Sequence, residues 1–382
     1  MTPVPPEAVG GAHGLMDPLS TVRRRLVEQR LAGEPFDDVR EAVRGLGAVQ
    51  AQEFAEAKWS LAERTRDCDD AGVEAAFARG DLIRTHLLRP TWHFAAREDV
   101  RWLLRLSRPR VHALNRYMYR KVELDADVLV RAHDVLARAL ADGEPRTRGE
   151  VAERLGAAGI EADGFRLGYV LMHAELEELV CSGPRRGKQQ TYALLDDRVS
   201  PSPLDDMSRE AALDELVLRY FRSHGPATVK DFTSWSSLTV ADTKAALERA
   251  AGQLACEEDE DGGRWYAAAQ AVAPSTARAA RAFLVPMYDE TIVAYRDLRV
   301  VLAHPLPRPG LLDRAIVIGG RTFGSWRRTL AARSVLVEAS LFGPLSDAES
   351  EALEEAVARF GRFLGLSASL EASVAATADA PD

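Results

Sequence analysis

Two stretches decide the fold, Thr147-Arg-Gly-Glu-Val-Ala-Glu-Arg-Leu155 and Pro226-Ala-Thr-Val-Lys-Asp-Phe-Thr-Ser-Trp235. Each carries a threonine with an acid three residues later, Glu150 after Thr147 and Asp231 after Thr228, the signature of a helix N-terminus whose side chains cap one another. Thr228 with Asp231 is the looser fit, since Glu or Gln is usual at that place. Outward from these, an apolar-periodic helix precedes each stretch (Asp125 to Leu140, Arg209 to Arg222) and another follows it (Gly164 to Glu178, Thr239 to Ala251). Both segments close on a pair of short strand patterns around a turn, Leu179-Val180-Cys181 with Gln190-Thr-Tyr-Ala-Leu194, and Leu254-Ala255-Cys256 with Gly263-Arg-Trp-Tyr-Ala267. Three helices and a two-stranded ribbon, repeated about 80 residues apart, are winged-helix grammar.

A third, less regular copy is expected in the N-terminal part. Its helices are Thr21 to Leu31, Asp37 to Arg44 and Glu53 to Arg64, with a further short helix at Gly72 to Arg79 and a ribbon of Leu82 to Leu88 and Thr91 to Phe94. The C-terminal part differs, with strands at Phe283 to Pro286, Ala315 to Gly319, Arg321 to Trp326 and Ser334 to Ser340. Gly319-Gly320 is read as a hairpin turn, Asp347 to Phe363 as a last helix, and Ser367 to Asp382 as a frayed tail. The expected fold is mainly α with β-wings (α+β), tandem winged-helix domains plus a C-terminal β-rich domain, divided at 17–121, 122–200, 206–270 and 280–365.

Composition bounds what such a chain does. A length of 382 residues allows two to four domains, and 46% hydrophobic with 28% charged residues is ordinary for a soluble globular protein. Cys68, Cys181 and Cys256 are far apart and lack metal-ligand spacing, which points to a reduced protein without structural zinc. No charged n-region with an apolar run opens the chain and no apolar stretch reaches a membrane span, so a cytoplasmic protein with no membrane contact is expected. A net charge of -9 argues against a surface coated in nonspecific nucleic-acid contacts, but it hides a local excess. Arg101, Arg105, Arg108, Arg110, Arg116, Arg120 and Lys121 follow one another with no acid between. That stripe reads either as a phosphate-tracking surface, with Tyr117 and Tyr119 interleaved, or as a solvated helix face paired with acids elsewhere. The two ribbon tips are opposite in charge: Arg185, Arg186 and Lys188 can lie on phosphates, whereas Glu257 to Asp261 cannot.

Gln50-Ala51-Gln52 is the stretch most like a reaction centre. Gly45 and Gly47 disfavour helix just upstream, and on an extended segment residues i and i+2 share a face, so the two amides would point together. Taken alone, a motif of two residues is short enough to arise by chance, and surface or capping amides are the other reading. Other chemistry lacks its motif: there is no Gly-rich phosphate loop, no HExxH, no Gly-x-Ser-x-Gly, and His86 and His93 are not spaced as a helical ligand pair.

Gln50-Ala-Gln52, Leu88-Arg-Pro-Thr-Trp-His-Phe94 with Glu98-Asp-Val-Arg-Trp102, Val285-Pro-Met-Tyr-Asp289 with Tyr295-Arg-Asp297, and Ile318-Gly-Gly-Arg321 running into Thr322-Phe-Gly-Ser-Trp326 together resemble the AlkZ/YcaQ-type winged-helix DNA glycosylases of bacteria. The resemblance covers roughly Leu19 to Gly365, and it is the order and spacing of the motifs that make it specific. It implies excision of N-alkylated purines from double-stranded DNA without metal or cofactor, by a monomer, with Gln50 and Gln52 as the paired catalytic residues of the Gln-Φ-Gln branch. Members of that branch include resistance enzymes acting on bulky adducts or crosslinks left by DNA-alkylating natural products. An N7-alkylated guanine is already cationic and leaves without a general acid. The amides would then position a water and stabilise an oxocarbenium-like transition state.

The resemblance also colours single residues. His93, beside Trp92, is expected at the DNA backbone near the lesion, the alternative being a hydrogen-bonded core histidine. Arg89 would hold a phosphate or else pair with Asp81 or Glu98, and Asp289 with Arg296 would form an interdomain ion pair. Trp92, Arg105, Arg108, Arg110, Arg185, Arg186 and Lys188 complete the expected DNA contacts, and Lys58 is expected to point away from the glutamines. The rival is a noncatalytic winged-helix protein such as a transcriptional regulator, although regulators usually carry one winged helix beside a dimer or ligand domain. A DNA-sequestering resistance protein, which would bind an adduct and release nothing, is a third reading.

Overall fold

A computed structural model describes residues 17–270, 278, 280–296 and 314–374. Helix α1 (Pro18–Glu28) comes first, followed by α2 (Val39–Leu46), β1 (Val49–Gln50), α3 (Phe54–Ala62), α4 (Asp70–Arg79), β2 (Leu82–His86) and β3 (Trp92–Ala96), whose sheet has the order β1-β3-β2. The long helix α5 (Val100–Lys121) leads into α6 (Ala126–Leu140), β4 (Arg146–Thr147), α7 (Arg148–Ala157), α8 (Gly164–Leu176), β5 (Val180–Arg186) and β6 (Gln189–Leu194), ordered β4-β6-β5. After the short α9 (Leu195–Arg198) the series recurs as α10 (Arg209–His224), β7 (Ala227–Thr228), α11 (Val229–Ser236), α12 (Val240–Arg249), β8 (Leu254–Glu258) and β9 (Arg264–Ala268), ordered β7-β9-β8.

All three repeats therefore run helix, short strand, helix, helix, ribbon. The first begins at α2, one helix later than the sequence suggests, and α1 lies outside it. The reason is β1: two residues long and ending in glutamine, it has no alternation to read, so the helices around it are miscounted. In the second and third repeats the strand-to-helix junction is closed by reciprocal capping, Thr147 with Glu150 and Thr228 with Asp231. In the first, Glu53 caps α3 without a side-chain bond, and Gln50-Ala51-Gln52 fills the junction instead.

The C-terminal part is a five-stranded sheet, ordered β10 (Ala282–Val285), β11 (Ala315–Ile318), β12 (Arg321–Leu330), β13 (Ser334–Leu341) and β14 (Ser367–Val374). Helix Asp347–Leu364 crosses between the last two strands, which are parallel from Ser334↔Ser367 to Leu341↔Val374. So residues 367–374 are not a frayed tail. As an edge strand of small and polar residues they carry little apolar signal, and the crossover helix determines where they pair. Gly319 and Gly320, at φ 57° and 85°, form the tight β11–β12 turn that only a pair of residues tolerant of positive φ can make.

The second repeat has a core of its own, centred on Leu136, Leu155 and Val170. The first shares both its sides. One packs Ile83 and Leu88, together with Leu26 of α1 and Trp102 of α5, with Tyr220, Phe232 and Trp235 of the third repeat and with Tyr295. The other packs Trp59, Phe77 and Phe94 with Leu284, Trp326 and Phe360 of the C-terminal part. Buried indoles keep their N–H groups satisfied, Trp59 donating to the Leu284 carbonyl at 2.7 Å and Trp326 to the Val285 carbonyl at 2.9 Å. Both seams meet at Asp289, fully buried, which accepts from Arg64 Nη2 at 2.8 Å, Arg64 Nη1 at 2.9 Å and Ser60 Oγ at 2.6 Å. The ion pair expected between Asp289 and Arg296 is not formed: Arg64 takes the carboxylate, while Arg296 is exposed and its backbone N–H is held by Asp231.

Burial alone would raise the Asp289 pKa, but Arg64 and the Ser60 and Thr291 hydrogen bonds outweigh it and hold the carboxyl below its ordinary value. A carboxylate with a depressed folded pKa contributes stability that is present above the unfolded value near 3.9 and is lost as pH falls through the folded value. Replacing Asp289 by Ala strands a buried guanidinium and should cost about 3–5 kcal/mol in urea unfolding at neutral pH. A loss under about 1 kcal/mol, in the range of an exposed pair, would contradict this account of the seam.

Candidate active site

Gln50 ends β1 opposite His93 of β3, and β3, as the central strand, is bonded on both edges. Backbone pairing continues past the strand, because Ala51 N–H donates to the Trp92 carbonyl at 2.7 Å. The side chains of both glutamines reach the same turn, Arg89 to Trp92. Arg89 Nη2 donates to Gln50 Oε1 at 2.6 Å, and the Trp92 backbone N–H to Gln52 Oε1 at 3.4 Å. Since a guanidinium only donates, its contact fixes which end of the Gln50 amide is oxygen. Each amide oxygen has two lone pairs, so one on each remains for a water or a substrate atom.

That turn is held in an unusual shape. Leu88, fully buried, has φ 61°, a left-handed conformation that costs a bulky residue on the order of 1–3 kcal/mol and persists where the surroundings enforce it. Arg89 leaves the turn toward Gln50 and the Val293 carbonyl; Asp81 and Glu98, its expected partners, are occupied by Arg79 with Arg97 and by Arg40 with Arg44. Burial pushes the Arg89 pKa down, and Glu290 opposes that shift.

Four residues that the sequence reading did not single out build the frame. Glu290, fully buried, accepts from the Gln50 backbone N–H at 2.8 Å through one oxygen and from Trp235 Nε1 at 2.9 Å through the other. It follows directly after the quoted Val285 to Asp289 motif, which was the signal available. Arg84 donates to the carbonyls of Ala51 at 2.9 Å and Gln52 at 3.4 Å, and its guanidinium lies 4.4 Å from the Trp92 ring centre. Burial lowers its pKa to about 10. Glu175 of α8 accepts from the His86 backbone N–H at 2.9 Å, bonds His86 Nδ1 and accepts from Trp92 Nε1 at 3.5 Å. Arg64, already described, holds Asp289 next to Glu290. Arg84 and Glu175, charged residues next to the apolar positions of a strand and a helix pattern, left a trace in the sequence, whereas Arg64, beyond the end of α3, left none.

His93 sits behind Gln50 with no exposed surface, its Nδ1 2.9 Å from the Thr91 carbonyl oxygen. Buried on the central strand, it presents no surface of its own, whereas Trp92 beside it is half-buried. Lys58 is tied to Asp70 and Glu74 at 2.8 Å each, with its side chain almost wholly buried. The other expected DNA contacts lie outside this cluster, and most are engaged internally. Arg105 bonds Glu178 at 2.9 and 3.0 Å, Arg108 bonds Glu177 at 3.1 Å, and Arg110 donates to the Ser237 carbonyl at 2.9 Å. On the wing, Arg185 bonds Glu74 at 3.0 Å and Arg186 bonds Glu150 at 2.7 Å. Lys188, Arg116, Arg120 and Lys121 are exposed. No helix of the described residues is long and apolar enough to cross a membrane.

Comparison with known proteins agrees with this arrangement of parts. The family described as DNA glycosylase AlkZ-like matches residues 43–363. An interstrand DNA cross-link repair glycosylase of Streptomyces sahachiroi is 24% identical over 370 residues, covering 90% of this chain and 95% of that protein. The solved structure of Streptomyces sahachiroi DNA glycosylase AlkZ shares the fold, with a TM-score of 0.73 at 21% identity over 94% of this chain and 99% of that one.

Burial first, and then the neighbouring Arg89, push the His93 pKa well below 6.5. The unfolded chain therefore binds a proton that the folded chain refuses, and stability falls as pH drops below 6.5 toward the folded value. Nitrogen NMR of the imidazoles should show His93 neutral and unchanged from pH 8 to pH 5.5. A His93 that titrates near 6.5 would contradict its sealed position.

Proposed function

The chain belongs to the AlkZ-like DNA glycosylase family, and from that premise we propose that it is a monofunctional glycosylase hydrolysing the N-glycosidic bond of N7- or N3-alkylated purines in double-stranded DNA. The observation that carries the reading is the double hold on Gln50, by Arg89 on its side-chain oxygen and by Glu290 on its backbone N–H. A side chain so fixed does not need to reorganise when charge develops beside it.

Alkylation at N7 makes the purine cationic, so when the bond to C1′ breaks the electron pair goes to the departing base and neutralises it. A water oxygen then bonds C1′, its proton passes to solvent, and an abasic sugar remains. Gln50 and Gln52 hold that water and face the oxocarbenium-like sugar with the negative ends of their amide dipoles. Neither is a base at neutral pH, and none is needed. Trp92, its ring against Arg84 and its N–H on Glu175, offers a half-exposed aromatic face at the site.

Arg116, Arg120, Lys121 and Lys188 are the basic side chains we assign to phosphates, being exposed. Arg105, Arg108, Arg110 and Arg185 are assigned to holding the repeats together, Arg186 to tying its wing to α7, and His93 to packing behind Gln50. The description of the Streptomyces relative supports extending the substrates to bulky adducts and crosslinks.

Incubation with methylated and with bulky-adduct duplexes, followed by mass spectrometry, should find free modified base and abasic DNA. Tight binding with no base released would instead indicate a regulator or a sequestering protein. Gln50→Ala with Gln52→Ala should abolish release while binding persists, and an unchanged rate would refute the site. A hydrogen bond to a charged group is worth about 1.5–3 kcal/mol, so Arg89→Ala should slow single-turnover release by about 10- to 100-fold.

A further inference from the structure

Three of the chain's eight histidines, from three different helices, meet away from the glutamines. On α8, His173 and the capping residue Glu177 are four residues apart, the spacing that puts two ligands on one helix face. His112 reaches in from α5, its Nε2 3.0 Å from Glu177 Oε1. One ligating atom from each of His112, His173 and Glu177 lies within 4.8 Å of the other two. The rings pack at a tilt, with His112 and His173 centred 4.7 Å apart and His133 and His173 5.0 Å apart.

The surroundings are those of a ligand set. His112 Nδ1 is 2.8 Å from the Tyr119 hydroxyl, and His173 Nδ1 is 3.1 Å from His133 Nε2 of α6, so each ligand ring has one nitrogen held by an outer partner. Arg108 takes the other oxygen of Glu177 at 3.1 Å, which leaves Oε1 as the ligating atom. Burial, with the charges of His112 and His133 next, lowers the His173 pKa to about 4, and burial also lowers those of His112 and His133. Neutral imidazole is the form that ligates.

We propose that His112, His173 and Glu177, with His133 as outer partner, bind a divalent transition-metal ion of the zinc type. Two imidazoles and a carboxylate suit zinc, with water completing the tetrahedron. The ion joins α5 to α8. Between its two ligands on α8 lies Glu175, which turns to the opposite side and holds His86 and Trp92, so the ion steadies the helix that props the site. The spacing of histidines along the chain does not reveal this, because each histidine comes from a separate helix.

The test uses the full chain, stripped by a chelator, exchanged into chelator-free buffer and titrated with zinc against a chromophoric competitor. One zinc per chain is expected, and cobalt in its place should give visible absorption bands. His173→Ala should lose the ion, as should His112→Phe, which keeps an aromatic ring against His173 should the first variant fail to fold. Circular dichroism in the presence of chelator checks that each variant is folded. No stoichiometric zinc on the parent chain, or a folded variant that retains it, would overturn the site.

Discussion

Glu290 has both carboxyl oxygens committed inside the protein, one to the backbone N–H of Gln50 at 2.8 Å and one to the indole N–H of Trp235 at 2.9 Å. A fully buried carboxyl is tolerated only where such donors meet it, and these two come from different repeats. The contact thus fixes the end of β1 relative to the third repeat from a residue of the C-terminal part. Asp289, one residue earlier, does the same for α3 through Arg64 and Ser60. Two adjacent acids anchor the junction at which the glutamines stand.

Strain and polarity accumulate at that junction and are offset around it. The left-handed Leu88, the buried Arg84, the half-buried Arg89 and the uncapped start of α3 would each destabilise an isolated winged helix. The other two repeats avoid this with a capping threonine at the equivalent place. The first repeat has Gln50-Ala51-Gln52 in place of local capping and takes its stability from cores shared on both sides.

Much of the fold was legible because winged-helix signals are local. Thr147 with Glu150 and Thr228 with Asp231 announce their helices, and the ribbons follow at regular distance. The start of the first repeat was not, since a two-residue strand has no period, and neither was the parallel edge strand Ser367–Val374, whose pairing depends on a helix crossing back. At the site, the glutamines and Arg89 could be named from the chain, whereas Arg89's partner and the roles of Glu290 and Glu175 are tertiary facts. Charge patterns left two readings open: a run of arginines shows where positive charge is, not whether a carboxylate 73 residues on, Glu178 for Arg105, already occupies it.

The central claim is that the carboxylate of Glu290 holds Gln50 in its working position. Glutamine at 290 has the same shape but only one acceptor, so the Gln50 N–H and the Trp235 N–H cannot both be satisfied. The direct measurement is single-turnover base release by Glu290→Gln from alkylated duplex, alongside its DNA affinity. The account predicts a fall in rate of about 10-fold or more with affinity little changed, since an unsatisfied buried donor costs about 1–3 kcal/mol. A folded Glu290→Gln enzyme releasing base at the parent rate would contradict it.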